Sequence, residues 1–151
     1  MFTSAQAQDA FTKFEKQKNM NNVVVTKKMF ELMSNVKVDL SNPQEKAYFD
    51  LIKKLELLRV LNSKDEQTST ELKNTTTAYV AAGKHKKLKE DNTTGAVTYI
   101  NKDGNEQNIQ EFIMLNSKGV LTTVVLIKGQ FNLKELHILS NKMDLPIENL
   151  K

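Results

Sequence analysis

The residues best suited to acid–base or metal chemistry in this 151-residue sequence are its two histidines, His85 and His137. His85 lies in a lysine-rich stretch, and His137 lies in a predicted helix between Leu136 and Ile138. Neither has a second histidine or a carboxylate three or four residues further on, which is the spacing that brings two ligands together on one helix face. We therefore expect both histidines to be structural or solvated.

Other catalytic signatures are absent from the sequence. With no cysteine, the chain has no disulfide, no thiolate nucleophile and no cysteine-ligated metal. Its five glycines form no phosphate-binding loop, no dinucleotide-binding motif and no nucleophile elbow. Asp103 and Gly104 are explained by a turn and lack the spaced oxygen ligands of a calcium loop. We assign no catalytic residue, metal ligand or cofactor, while carboxylate pairs that form only on folding stay open.

The composition is that of an ordinary globular domain. No run approaches the roughly 18 apolar residues that a membrane-spanning helix needs, so no transmembrane span is expected. The net charge of +4 comes from a surplus of lysine, and Arg59 is the sole arginine. Because the planar guanidinium group reads base edges and phosphates best, a single arginine argues against a nucleic-acid partner.

The segment that reveals most about the fold spans residues 96–129. Three runs rich in β-branched and aromatic residues are separated by residues 102–105 and 116–119, and each separator contains a glycine. Glycine supplies the positive φ of tight hairpin turns, so the segment predicts an antiparallel meander of about three strands. The second and third runs are apolar on both sides, which indicates central strands with at least part of each face covered.

Helical patterns and their start signals account for most of the remaining chain. Asn42 as N-cap, Pro43 at the first helical position and Glu45 three residues after the cap predict one helix start. Asn132 and Glu135 have the same spacing and predict another. The predicted helices begin near residues 9, 27, 42, 63 and 132, and short strands are predicted at residues 23–26, 57–61 and 84–90.

Together these elements predict an α+β fold, with an antiparallel-dominated sheet of about five or six strands and helices mainly on one face. No repeat or linker divides the chain, so we expect residues 8–151 to form a single α+β domain. A chain of this length buries well over half of its unfolded surface without disulfides. The order of the strands cannot be derived from these patterns.

The first eight residues are uncharged and contain Ala5-Gln6-Ala7, a small-x-small pattern that signal peptidase accepts. We interpret residues 1–7 as the remnant of a secretory signal peptide, with the mature protein starting near Gln8. The alternative is an arbitrary polar N-terminus. The preferred interpretation predicts an exported protein, periplasmic or extracellular.

One apolar strand is a candidate interaction face. Residues 121–127 have apolar side chains on both sides, and the predicted helices are few for the surface that they would have to cover. An uncovered apolar face marks a site of protein or ligand binding. The residues on the candidate face are Leu121, Thr123, Val125 and Ile127.

The lysine-rich stretch at residues 84–90 is a second candidate. Its basic side chains could form a weak anion-binding patch. The alternative is an edge strand whose lysines prevent sheet-to-sheet aggregation. The residues of the patch are Lys84, Lys86, Lys87 and Lys89.

Several blocks of the chain show a family resemblance. They are a first helix with Phe11 and Phe14, VVVTKKMFELM at residues 23–33, LELLRVLNS at residues 55–63, and the long block at residues 109–136 that begins IQEFIML. On these blocks the chain resembles the Bacteroidetes family known as domain of unknown function 4252, whose members are small exported proteins. The resemblance implies export, and it implies no reaction, cofactor or catalytic residue.

Two functional interpretations follow. The preferred one is an exported, non-catalytic module that binds another envelope protein or a cell-surface ligand, or that associates with itself. The alternative is a small periplasmic hydrolase or ligand carrier, with a site built from loop carboxylates, His137 and tyrosines.

Overall fold

The computed structural model describes residues 10–35 and 41–147, so the predicted signal remnant at residues 1–7 lies outside the described residues. A six-stranded sheet forms its centre, with spatial order β1-β2-β6-β5-β4-β3 and every neighbouring pair antiparallel. The strands are β1 (Asn21–Thr26), β2 (Leu55–Ser63), β3 (Lys86–Asp91), β4 (Ala96–Ile100), β5 (Ile109–Lys118) and β6 (Leu121–Phe131).

Five helices surround this sheet in the described ranges. Helix α1 covers residues 10–12 and continues as a 3-10 turn, Lys13–Lys16. The others are α2 (Lys27–Ser34), α3 (Pro43–Ile52), α4 (Glu66–Ala82) and α5 (Leu133–Met143). None of the helices in the described ranges has the length and apolar character needed to cross a membrane.

The predicted helix starts are largely confirmed. The Asn42 side chain accepts hydrogen bonds from the backbone N–H groups of the second and third residues of α3, and Pro43 is the first residue of the helix. Asn132 and Glu135 exchange both hydrogen bonds of a capping box at α5. Helix α4 starts later than predicted, because Asp65 rather than Ser63 caps it. Ser63 belongs to β2.

One face of the sheet is covered by α2, α3 and α5. Their apolar side chains pack onto the inward residues of the four central strands, β2, β6, β5 and β4. The residues with at most 1% exposure on this side include Phe30, Leu51, Ile52, Phe112, Ile127, Leu136 and Leu139. This is the larger of the two cores.

The other face is covered by α1 and α4. Phe11 and Phe14 of the first helical segment are fully buried there beside Leu72 of α4. Thr76 is also fully buried, and its hydroxyl group donates to the carbonyl oxygen of Leu72, so no polar atom is stranded by its burial. The sole arginine, Arg59 of β2, is buried under α1, where it forms an ion pair.

The α+β class and the antiparallel sheet are confirmed, with six strands. The helices, expected mainly on one face, are divided three to two between the faces. This division follows from the connection between β2 and β3. These strands lie toward opposite edges of the sheet, and α4 connects them across one face. Threonines weaken the apolar pattern of α4, so the sequence did not indicate that this helix covers a face of the sheet.

Candidate functional site

Four polar side chains meet between α4 and the sheet, and we call them the Glu111 cluster: Tyr79, His85, Glu111 and Lys128. The Tyr79 hydroxyl group donates to Glu111 Oε2 over 2.5 Å, and His85 Nε2 contacts Glu111 Oε1. Lys128 Nζ lies 3.5 Å from Glu111 Oε2. Only 13% of the Glu111 side chain and 5% of the His85 side chain are exposed, so this is the most buried ion-pair network in the described residues.

The local structure explains how these groups come together. Glu111 of β5 and Lys128 of β6 are direct partners in the strand register, and the register shift between Ile109 and Glu111 precedes them. Helix α4 ends at Gly83, where a Cβ atom would clash with the ring of His85. The next residue has a positive φ of 54°, which turns the chain so that His85 folds back beneath the helix.

The electrostatics of the cluster favour a charged Glu111. Burial alone raises the pKa of this carboxyl group, but hydrogen bonds from His85 and Tyr79 and the nearby Lys128 ammonium outweigh burial and hold its pKa below the ordinary value. The pKa of Tyr79 is raised, first by burial and then by the charge and hydrogen bond of Glu111. The phenol therefore stays a proton donor to the carboxylate.

The contacts of this cluster connect secondary-structure elements to one another. Both Glu111 oxygens accept from donors within the protein, so the hydrogen bonds of this carboxylate are made to Tyr79 and His85, beside the Lys128 ammonium group. The cluster ties the end of α4 to β5 and β6. No group of three or more histidine, aspartate or glutamate side chains in residues 10–35 and 41–147 is placed to hold a metal ion.

His137, the other predicted candidate, does not join this cluster. It is half-buried on α5, and α5 packs on the opposite face of the sheet from Glu111. The pocket built from loop carboxylates and His137 therefore gains no support from the Glu111 cluster.

The predicted interaction face on β6 needs correction. Val125 and Ile127 have no exposed area, because α3 and α5 cover them from the same chain. Thr123 is half-buried, and Leu121, at the end of the strand, is 37% exposed. Only the Leu121 end of this row is therefore available to a partner, and the expectation of an uncovered sheet face over Val125 and Ile127 was wrong.

The predicted anion patch lies on β3, the edge strand at one side of the sheet. Lys86 Nζ donates to a backbone carbonyl oxygen over 2.6 Å, and Lys87 forms an ion pair with Glu90. Lys84 is exposed, and Lys89 is half-buried after a register shift in the strand. Lysines and a bulge are the features that discourage pairing at an edge. Anion binding here stays a prediction.

The opposite edge, β1, has none of these features. Its sequence, NNVVVT, contains no charge and no proline, and its register with β2 runs without a shift over all six residues. Val23, in the middle of the strand, is 57% exposed. In the following helix α2, Met29 and Leu32 are 47% and 63% exposed. No strand in the described residues pairs with the outer side of β1, so its outward backbone groups are open to another chain.

Neither the Glu111 cluster nor the open edge at β1 was predicted from the sequence, because both depend on contacts between distant parts of the chain. Tyr79, His85, Glu111 and Lys128 are brought together by folding and share no spacing. The available signal was a charged residue in each of two central apolar runs, Glu111 in IQEFIML and Lys128 in VVLIKG, because a charge in such a strand needs a partner. The edge position of β1 required the strand order, for which the sequence held no signal.

An all-antiparallel six-stranded sheet with helices on both faces defines a protein of the α+β class. Comparison with protein families matches residues 14–139 to the domain of unknown function DUF4252. The chain belongs to this family. Comparisons with curated proteins and with solved structures gave no significant match.

Proposed function

We propose that this protein is an exported, non-catalytic binding module, and that its partner protein adds an extended strand to the outer edge of β1. The observation that supports this proposal most is the asymmetry of the two sheet edges. Edge β3 is protected by lysines and a bulge, whereas β1 is uncharged, regular and rich in valine. Strand addition to such an edge gains main-chain hydrogen bonds along its whole length.

The side chains around β1 support the same proposal. Val23 projects into solvent, and the two exposed apolar residues of α2, Met29 and Leu32, follow within nine positions of it. Large exposed apolar side chains near one edge supply the contact area that main-chain pairing alone lacks. Export is supported by the Ala5-Gln6-Ala7 pattern and by the family resemblance.

The test compares two substitutions of exposed valines. Val23→Lys places a charge in the middle of β1, and Val120→Lys places the same charge at the tip of the β5–β6 hairpin, where the valine is 52% exposed. Each full-length variant is used to retain proteins from envelope extract of the source organism. Amide hydrogen exchange is then measured on the retained complex.

We expect the wild type and Val120→Lys to retain the same protein and to show slowed exchange in residues 21–26. Val23→Lys should retain at least about tenfold less, because a lysine on an edge strand discourages pairing with another chain. Equal retention by all three proteins, or slowed exchange in β3 and not in β1, would refute strand addition at β1.

A further inference from the structure

We infer that the segment added at β1 is an extended peptide with an uncharged, β-branched centre and carboxylate side chains at both ends. This inference rests on the proposed function and adds the chemistry of the partner. It comes from the charges that lie on either side of the strand.

Four exposed lysines flank β1. Lys16 and Lys18 precede the strand, and Lys27 and Lys28 follow it. Within the described part of the chain, none of these four forms an ion pair, although six other lysines do. In sequence, the uncharged strand therefore lies between two pairs of unpaired lysines. A strand with the complementary pattern has carboxylates at both ends.

The position of Lys27 and Lys28 is unfavourable for the protein alone. They are the first two residues of α2, where the partial positive charge of the helix N-terminus repels cations, and the first turn contains no acidic residue. The helix is thus less stable than it would be with acidic residues at these positions. Carboxylates of a bound strand would be attracted both by the two ammonium groups and by the helix terminus.

The same charges disfavour a second copy of this chain as the occupant. In an antiparallel β1–β1 pair, Lys27 and Lys28 of one copy approach the end of the other copy that holds Lys18. Like charges would then approach each other at both ends of the pair, and their repulsion acts over a screening length of roughly 8 Å at physiological salt. Pairing of β1 with β3 of another copy meets the lysines and the bulge of that edge.

The length of the strand sets the length of the partner segment. Six residues at about 3.3 Å each give an edge of roughly 20 Å. The partner therefore needs an uncharged centre of about six residues, with its carboxylates immediately outside that centre.

The experiment uses two labelled synthetic peptides with the same centre. One is EETVTVTVEE and the other is KKTVTVTVKK, and binding to the full-length protein is measured by fluorescence anisotropy at low and high salt. We expect the acidic-ended peptide to bind at least about tenfold more tightly, with a preference that weakens as salt screens the charges. The double variant Lys27→Glu, Lys28→Glu should lose this preference or reverse it.

A matched double variant, Lys102→Glu with Lys118→Glu, changes the net charge by the same amount at exposed lysines outside β1 and α2. It should keep the preference of the wild type. If it loses the preference as fully as the Lys27, Lys28 variant does, net charge alone explains the binding and the inference is overturned.

The outcomes separate this inference from the proposed function. If both peptides bind equally and Val23→Lys abolishes the binding of both, strand addition at β1 is supported and the inference of carboxylates at the ends of the partner segment is wrong. If Val23→Lys binds the acidic peptide as the wild type does, β1 is not the docking edge and both are wrong. If neither peptide binds and the protein forms a dimer that Val23→Lys dissociates, the occupant is a second copy and the inference is overturned.

Discussion

Replacing Glu111 with glutamine should destabilise the fold by about 3 kcal/mol at pH 7. The carboxylate accepts from Tyr79 and His85 and lies beside the Lys128 ammonium group. A neutral amide removes the charged acceptor from all three donors, and its own N–H group faces one of them. Hydrogen bonds to charged groups contribute about 1.5–3 kcal/mol each, and removing one member of a buried ion pair costs about 3–5 kcal/mol. The partial exposure of Lys128 places the expected cost at the lower end.

The pH dependence of this cost follows from the pKa of Glu111. In the folded protein this pKa lies below its ordinary value of 4.5, so the stabilisation is fully present above pH 4.5 and is lost as the pH falls through the folded pKa. The difference in stability between the wild type and the Gln variant should therefore be greatest near neutral pH and shrink below pH 4.5.

The assay is urea unfolding followed by far-ultraviolet circular dichroism at neutral and acidic pH. Glu90→Gln is the matched control, since Glu90 forms an exposed pair with Lys87 whose charges are screened by solvent, so its loss should leave stability nearly unchanged. A cost below about 1 kcal/mol at pH 7 for Glu111→Gln, or a cost that is the same in acid as at neutral pH, would refute the proposed role of the cluster.

Three further predictions use the same unfolding assay. Gly129→Ala should cost more than Gly119→Ala. The Cβ added at Gly129 would lie 2.6 Å from the Lys54 carbonyl oxygen, whereas Gly119→Ala meets open space and should cost about 1–2 kcal/mol for its positive φ; equal costs would contradict this. The pKa of Tyr79 is raised in the folded protein, so the stabilisation that its neutral hydroxyl group provides is present below pH 10 and is lost as the pH rises above 10. Between pH 9 and 11 the Tyr79→Phe variant should therefore lose less stability than the wild type. Lys27→Glu should stabilise the protein by about 0.3–1 kcal/mol through the helix terminus, and a loss of stability would contradict that reasoning.

Local signals in the sequence were sufficient for most of the secondary structure. The caps at Asn42 and Asn132 lie within four residues of the groups that they bind, so their spacing is visible in the sequence. The hairpin turn was placed slightly early, because β5 continues through Asn116 to Lys118 and only two residues, the first of them Gly119, separate it from β6. A polar run at the end of a strand resembles a turn until its pairing partner is known.

Long-range features could not be predicted in this way. The burial of Val125 depends on α3 and α5, which pack on it from distant parts of the chain. Cover on the other face depends on Leu72 and Thr76 of α4, in a helix whose apolar pattern is weak. The Glu111 cluster likewise combines residues separated by 49 positions in sequence from Tyr79 to Lys128. Such contacts follow from strand order, which local patterns do not encode.

The most direct test of strand addition at β1 is amide hydrogen exchange across residues 21–26, measured on the protein alone and in complex with the protein that it retains from envelope extract. An edge strand leaves alternate backbone N–H groups unpaired, and an added strand gives them partners. These alternate amides should become protected in the complex, while the amides of β3 stay unchanged. Retention of the partner with no added protection in β1 would contradict it.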